Sequence, residues 1–379
     1  MNARRLVAGA AVFGAALLTT MAPACSSSSP SSSTSSVPSS TAEATFAAVD
    51  AAIEARITND HLDGAALLVV RDGRTFRDTG YGDYDANTVV PIASASKWLT
   101  AATMMTLVDE GRVSLDDSVS KFLPEFSGAS GGATIRQLLS HTSGLAQDDC
   151  IWSVDSTLAA CVAKVARARP TTAPGTTFAY GNTSYSVAGR IIEVVTGESF
   201  EQAFEHRIAE PVAMGSTRFD DADGGRTENP APAASARSSL HDYGRYVQMI
   251  AADGEIDGRR VLSVASVREM ERDQVGPLSN PEDFAVRTTG IATYGLGLWR
   301  DVTTTNDAGV VSSGNGAYGF YPWIDRARSS YGVLVVYDSR HSSDHAVPYS
   351  QRIVHQVWAA LEAETGPGSS PTPTVVHGR

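Results

Sequence analysis

Lysine is almost missing from this chain. Of the 30 basic residues among 379, only Lys97, Lys121 and Lys164 are lysines. The rest are arginines, which stay protonated and cannot serve as bases. Any reaction that needs an amine to take up a proton therefore has few candidates. Positive charge is scarce as well, since acidic residues exceed basic ones by 42 − 30 = 12. That balance excludes a basic nucleic-acid surface and gives no attraction to anionic membranes. Cysteine is limited to Cys25, Cys150 and Cys161. The apolar stretch Leu6 to Leu18 is too short to span a bilayer.

What is present begins with an export signal. Arg4 and Arg5 precede the apolar stretch, and Ala22-Pro23-Ala24-Cys25 supplies a small-residue cleavage site, so residues 1–24 are expected to be a signal peptide. A cysteine directly after that site resembles a bacterial lipoprotein signal, with Cys25 acylated, although Ala22 stands where a large aliphatic residue is usual. Plain secretion is the alternative. Residues 25–43, mostly serine with Pro30 and Pro38, read as a flexible tether. In an exported protein Cys150 and Cys161, with ten residues between them, are expected to pair.

The remainder, residues 44–365, alternates in texture. Phe46, Val49 and Ile53 recur at helical spacing. Residues 65–70 read as a buried strand, and Asp72-Gly73 turns into a second one through Tyr81. Helices follow around 156–167, 185–196, 200–208 (ending before Pro211), 240–252 and 264–272. Residues 220–237 read as loop. Strands are expected at 294–299, 319–323 and 331–337, then a helix at about 349–364. The implied class is α+β: a mostly antiparallel sheet flanked by N- and C-terminal helices, from about 44–115 and 290–365, with an all-α lobe inserted at about 116–289. Residues 366–379 read as a disordered tail.

One stretch organises the rest. Ile92-Ala93-Ser94-Ala95-Ser96-Lys97-Trp98 opens a run with no charged residue from Trp98 to Val108, which reads as a helix buried on all sides. Ser94 and Lys97 then share one face of its first turn. Burial favours the neutral form of an amine, and a neutral amine can accept the proton of a neighbouring hydroxyl. The same spacing recurs at Ser118 and Lys121, but among Asp116, Asp117 and Pro124 and with no buried helix behind it, so it reads as an exposed segment.

Further motifs follow in order: His141-Thr142-Ser143-Gly144-Leu145, Tyr180-Gly181-Asn182, and Glu210-Pro211-Val212-Ala213-Met214-Gly215. With S-x-x-K at Ser94 and Y-x-N at Tyr180, the chain resembles the class C β-lactamase, D,D-peptidase and esterase family of penicillin-recognising serine hydrolases. The resemblance implies a β-lactamase/transpeptidase-like fold and an acyl-enzyme on Ser94. It implies Lys97 and Tyr180 as the base pair, Asn182 as a hydrogen-bonding partner of Lys97 and substrate, and the Ser94 N–H as one oxyanion donor. His141 is expected to fix its loop.

The family's third motif, a Lys or His followed by small residues on an edge strand, has no cation here. The region reads Ser312-Ser313-Gly314-Asn315-Gly316-Ala317-Tyr318-Gly319-Phe320. One register puts Ser312 in the cation's place with Asn315 as second oxyanion donor; the other puts Ser313 there with Gly316. An arginine from elsewhere in the fold could substitute. The reading is an esterase or amidase for small substrates, with D,D-carboxypeptidase or β-lactamase as alternatives, and a catalytically silent binding module as the reading of another class. No metal or cofactor is implied. The expected partners are a small-molecule or peptide substrate, no nucleic acid, and a membrane only through Cys25.

Overall fold

The structure, a computed structural model, describes residues 40–220, 224–278, 292–302 and 310–365. The expected leader, Cys25 and the tail 366–379 lie outside the described residues.

The strands are β1 Gly64–Arg71, β2 Arg74–Gly82, β3 Val90–Pro91, β4 Arg218–Phe219, β5 Ala236–Ser238, β6 Glu255–Ile256, β7 Arg259–Arg260, β8 Ala292–Tyr294, β9 Trp299–Val302, β10 Val310–Ser313, β11 Tyr321–Asp325 and β12 Ser330–Val336. Helices of eight residues or more are α1 Ser40–Asp60, α2 Ser96–Asp109, α3 Leu158–Val165, α4 Thr183–Thr196, α5 Leu240–Ala251, α6 Val264–Glu271 and α7 Ser343–Thr365. The first helix thus begins inside the expected tether.

Seven strands form one sheet in the order β2-β1-β12-β11-β10-β9-β8, antiparallel at each pairing with a defined register. The fold is the α+β, β-lactamase/transpeptidase-like one. Strand alternation divides the apolar side chains between the two faces. Leu67, Val69, Leu334 and Val336 pack on Phe46 and Ile53 of α1 and Val357 of α7. Ala66, Val333 and Val335 face the other way, onto Trp98 of α2 and Tyr243 of α5. Each large apolar side chain buried this way contributes about 1.5–3 kcal/mol. All of α2 from Ser96 to Leu107 is buried, so its polar threonines bond inward. Thr103 and Thr106 donate to carbonyls of their own helix, and Thr100 to Pro232 O at 2.6 Å.

Several expectations are corrected. The expected strand 294–299 is broken in two: Tyr294 ends β8, Trp299 begins β9, and residues 295–298 are the turn between them. Gly297 at φ +84° lies so close to α2 that a Cβ there would meet Lys97 O at 2.7 Å. The strand expected at 319–323 runs at 321–325 instead. β10, which carries the third motif, lies between β9 and β11 and is internal rather than an edge. The inserted lobe is not purely helical: β5 joins β3 to β4, and β6 pairs with β7. Pro211 does not end its helix. The turn widens into a π segment at Glu205–Ala209, and Pro211 then sits in the first positions of Glu210–Val212, where its missing N–H costs no bond.

Candidate active site

Ser94 does not lie on α2. It occupies a one-turn 3₁₀ segment, Ala93–Ala95, that leads into the helix, and Ala93 has φ +45°. A left-handed alanine is strained, and such strain persists only where the surroundings enforce it. Here Ile92 N bonds Ala236 O at 2.9 Å, while Ser96 Oγ bonds Ala93 O at 2.6 Å and accepts from Ala236 N at 3.0 Å. Tyr243 closes the other side with a hydroxyl bond to Ala95 O at 2.9 Å. The Ser94 side chain is left half-exposed above these contacts.

Lys97, on the first turn of α2, is fully buried. Its Nζ lies 3.1 Å from Ser94 Oγ, 2.9 Å from Asn182 Oδ1 and 3.1 Å from Ala233 O. Burial lowers its pKa to about 7. A neutral amine has two N–H donors and one lone pair. Asn182 Oδ1 and Ala233 O are acceptors only, so they take the two donors. The lone pair is then left facing the one partner that can donate, the Ser94 hydroxyl.

Asn182 heads α4, yet its side chain makes no helix cap. Gln147 instead secures the start of the helix from outside, its Oε1 accepting from Asn182 N at 2.8 Å and Thr183 N at 3.3 Å. The Asn182 carboxamide turns to Lys97. Tyr180 places its ring 4.7 Å from Lys97 Nζ and packs against Trp299, with centroids 5.0 Å apart, and His141, 4.5 Å apart.

His141 is buried at φ +59°. Its Nδ1 accepts from Gly181 N at 3.4 Å and its carbonyl accepts from Ala179 N at 2.9 Å. Burial first, and the Lys97 charge second, hold its pKa well below the ordinary histidine value. His141, through its neutral ring on one side of Tyr180 and its carbonyl on the other, holds the tyrosine loop.

At the third motif, Ser313 lies on the face of β10 away from α2, where its hydroxyl donates to Asp301 Oδ2 at 2.6 Å. Burial pushes the Asp301 carboxyl up to about 6. Ser312 Oγ is 3.4 Å from Glu271 Oε1. Arg300, its partner on β9, spends Nε on Glu271 O and NH1 on Thr293 Oγ1. Both serines therefore face carboxylates. Beyond β10, the N–H groups of Gly314 and Gly316 donate to Pro322 O and Phe320 O. The Asn315 N–H points to the other side and has no partner among the described residues, and the same holds for the Ser94 N–H. Gly316 packs so tightly that a Cβ would meet Ile92 O at 2.3 Å, seating this turn against the serine turn.

The second S-x-x-K pair is separate from all this. Lys121 is 53% exposed and bonded to Asp117 at 2.7 Å, while Ser118 Oγ meets Ser120 Oγ. Cys150 and Cys161 are joined, with Cα atoms 5.4 Å apart, tying the Asp149–Trp152 turn to α3. Sequence reasoning missed Ala233, whose contribution is a carbonyl that any residue carries. It also missed Gln147, Trp299, Glu271 and Asp301, which are brought in by tertiary packing rather than by a motif.

A family model described as Beta-lactamase matches residues 49–356. Penicillin-binding protein 4 of Amycolatopsis lactamdurans is 33% identical over 264 residues, 59% of this chain and 69% of that protein. Protein flp of Staphylococcus aureus is 32% identical over 182 residues, 44% of this chain, and the match spans only 36% of flp. A candidate beta-lactamase from Bacteroides dorei superposes with a TM-score of 0.76 at 30% identity, over 84% of this chain and 99% of that one.

Proposed function

The chain belongs to the beta-lactamase family of serine hydrolases, and on that footing we propose that it cleaves neutral esters or amides of small substrates through an acyl-enzyme on Ser94. The observation that carries this is the surroundings of Lys97: a buried amine 3.1 Å from the Ser94 hydroxyl, its other two contacts being the acceptors Asn182 Oδ1 and Ala233 O. Lys97 takes the hydroxyl proton as Ser94 Oγ attacks the substrate carbonyl. The N–H groups of Ser94 and Asn315 receive the developing oxyanion, in the register that has Ser312 in the cation's place. The proton then passes, by way of Tyr180, to the departing alcohol or amine. Water attacks the acyl-enzyme by the reverse route, so ester and water give acid and alcohol.

The preference for neutral substrates rests on Ser312, which stands where the family has a cation and has Glu271, itself paired with Arg326, beside it. A carboxylate held near Ser312 would find one neutral hydroxyl donor instead of a charge-assisted hydrogen bond, itself worth roughly 1.5–3 kcal/mol. The likeness to a penicillin-binding protein favours the second reading, a D,D-carboxypeptidase or β-lactamase. Kinetics decide between them. An uncharged chromogenic ester should be turned over with a much higher kcat/KM than nitrocefin. Nitrocefin hydrolysis at the efficiency of a dedicated β-lactamase would establish the second reading instead.

A further inference from the structure

A second group of chemistry-bearing residues lies apart from Ser94, where the ends of α1 and β12 meet the start of α7. Asp60, Asp338, His341 and His345 each place one metal-ligating atom within 4.8 Å of the others. His341 Nδ1 is 3.0 and 3.1 Å from the two Asp338 oxygens, and His345 Nε2 is 3.1 Å from Asp60 Oδ2. Asp338 is fully buried and Asp60 nearly so, while the two imidazoles are 38% and 42% exposed.

Two buried carboxylates this close need compensating positive charge. Arg56, itself buried, supplies one. Its Nε and NH2 lie 3.6 Å from Asp60 and Asp338, beyond hydrogen-bond length, and its NH1 and NH2 donate to Ser350 Oγ and Ala346 O. With neutral imidazoles, one negative charge is left over.

We propose that Asp60, Asp338, His341 and His345 bind a divalent transition metal of the Zn²⁺ class. A tetrahedral centre with ligand bonds of about 2.0–2.2 Å has ligand–ligand edges of about 3.3–3.6 Å. The hydrogen-bonded N–O pairs need to open by a few tenths of an ångström, and the pairs up to 4.8 Å apart need to close by about an ångström. Two imidazoles select Zn²⁺, Co²⁺ or Ni²⁺ over the oxygen-seeking Mg²⁺ and Ca²⁺. A dication turns the local charge from −1 to +1, and the exposed imidazoles give it a way in. The site takes no part in acyl transfer, so it stands or falls independently of the reaction above. It does reach the third-motif turn. Asp338 N donates to Tyr318 O at 2.9 Å, and Ser350 Oγ, the acceptor for Arg56, donates to Gly319 O at 2.6 Å. A bound metal would brace that turn from behind.

The test uses untagged, chelator-stripped protein titrated with Zn²⁺ alone by calorimetry, with metal analysis and thermal melts. One equivalent should bind, and Tm should rise by about 5 °C at a hundredfold excess over Kd. His341→Gln and His345→Gln should each weaken binding at least about tenfold and together abolish it. Because glutamine keeps a donor within reach of each carboxylate, Tm without metal should change little. Failure to bind a stoichiometric equivalent, or equal binding by the double variant, overturns the proposal. So does a wild-type Tm that responds to pH but not to Zn²⁺, which would make a protonated imidazole the missing charge.

Discussion

Gln147 Oε1 accepts from the backbone nitrogens of Asn182 and Thr183, at 2.8 and 3.3 Å, and so fixes the head of α4. The Asn182 backbone is thereby held where its carboxamide reaches Lys97 Nζ, 2.9 Å away. Gln147→Ala should lower kcat about tenfold with KM little changed and Tm nearly intact. An unchanged kcat would show that Asn182 needs no such support.

Ser94→Ala should abolish fluorophosphonate labelling, and mass spectrometry of the wild type should place the one adduct on Ser94. Labelling that persists at Ser118 in the variant would refute the assignment. Lys97→Arg should lose on the order of a hundredfold or more in rate, because arginine keeps its proton.

The pKa of Lys97 sets two pH dependences. Its neutral form is the base, so kcat/KM should rise with pH through about 7 and then level off. Stability follows the same proton. The folded pKa is about 7 and the ordinary lysine value 10.5, so between these limits the unfolded chain binds more protons and stability climbs with pH. Comparing Tm of Lys97→Met with wild type, the variant's relative advantage should shrink between pH 7 and pH 10. A difference independent of pH would mean that Lys97 stays charged when buried.

At the third motif, Ser312→Lys should raise kcat/KM for carboxylate-bearing substrates about ten- to a hundredfold relative to neutral esters. Ser313→Lys should not, because that position points to Asp301 behind the sheet, and it should lower Tm instead. Equal gains from both variants would contradict the facing assigned to β10.

Reduction of Cys150–Cys161 should cost up to about 3 kcal/mol, read as a lower denaturation midpoint. Free thiols in the native protein would exclude the bridge. For Cys25, globomycin-sensitive processing and partitioning into detergent are expected of a lipid anchor. Recovery wholly in the aqueous phase would indicate plain secretion.

What the sequence made legible was local chemistry. The spacing of Ser94 and Lys97, the uncharged stretch behind them and the Y-x-N turn each sit within a few residues, and periodicity marked α1, α4 and β1. What stayed hidden depended on distant partners. Residues 294–299 look like a strand because Tyr294, Leu296, Leu298 and Trp299 are apolar. The close approach of Gly297 to Lys97 O, which forces the turn, is visible only in three dimensions. In the same way Ser312 and Ser313 are adjacent serines on paper and opposite faces of a strand in the fold. Nothing in either letter names Glu271 or Asp301 as its neighbour.

The pairing of β1 with β12, Ala65 opposite Val336, joins chain segments 271 positions apart (336 − 65). During synthesis the β1–β2 hairpin has no second neighbour until nearly the whole domain has been made, so its open edge must wait. Such a chain gains little from folding piecemeal. Its central sheet closes late and all together, and a product truncated before β12 would expose an unpaired apolar strand that invites aggregation or proteolysis. The strand β12 therefore acts as a check, since the sheet that supports Ser94 cannot close before Val336 has been made.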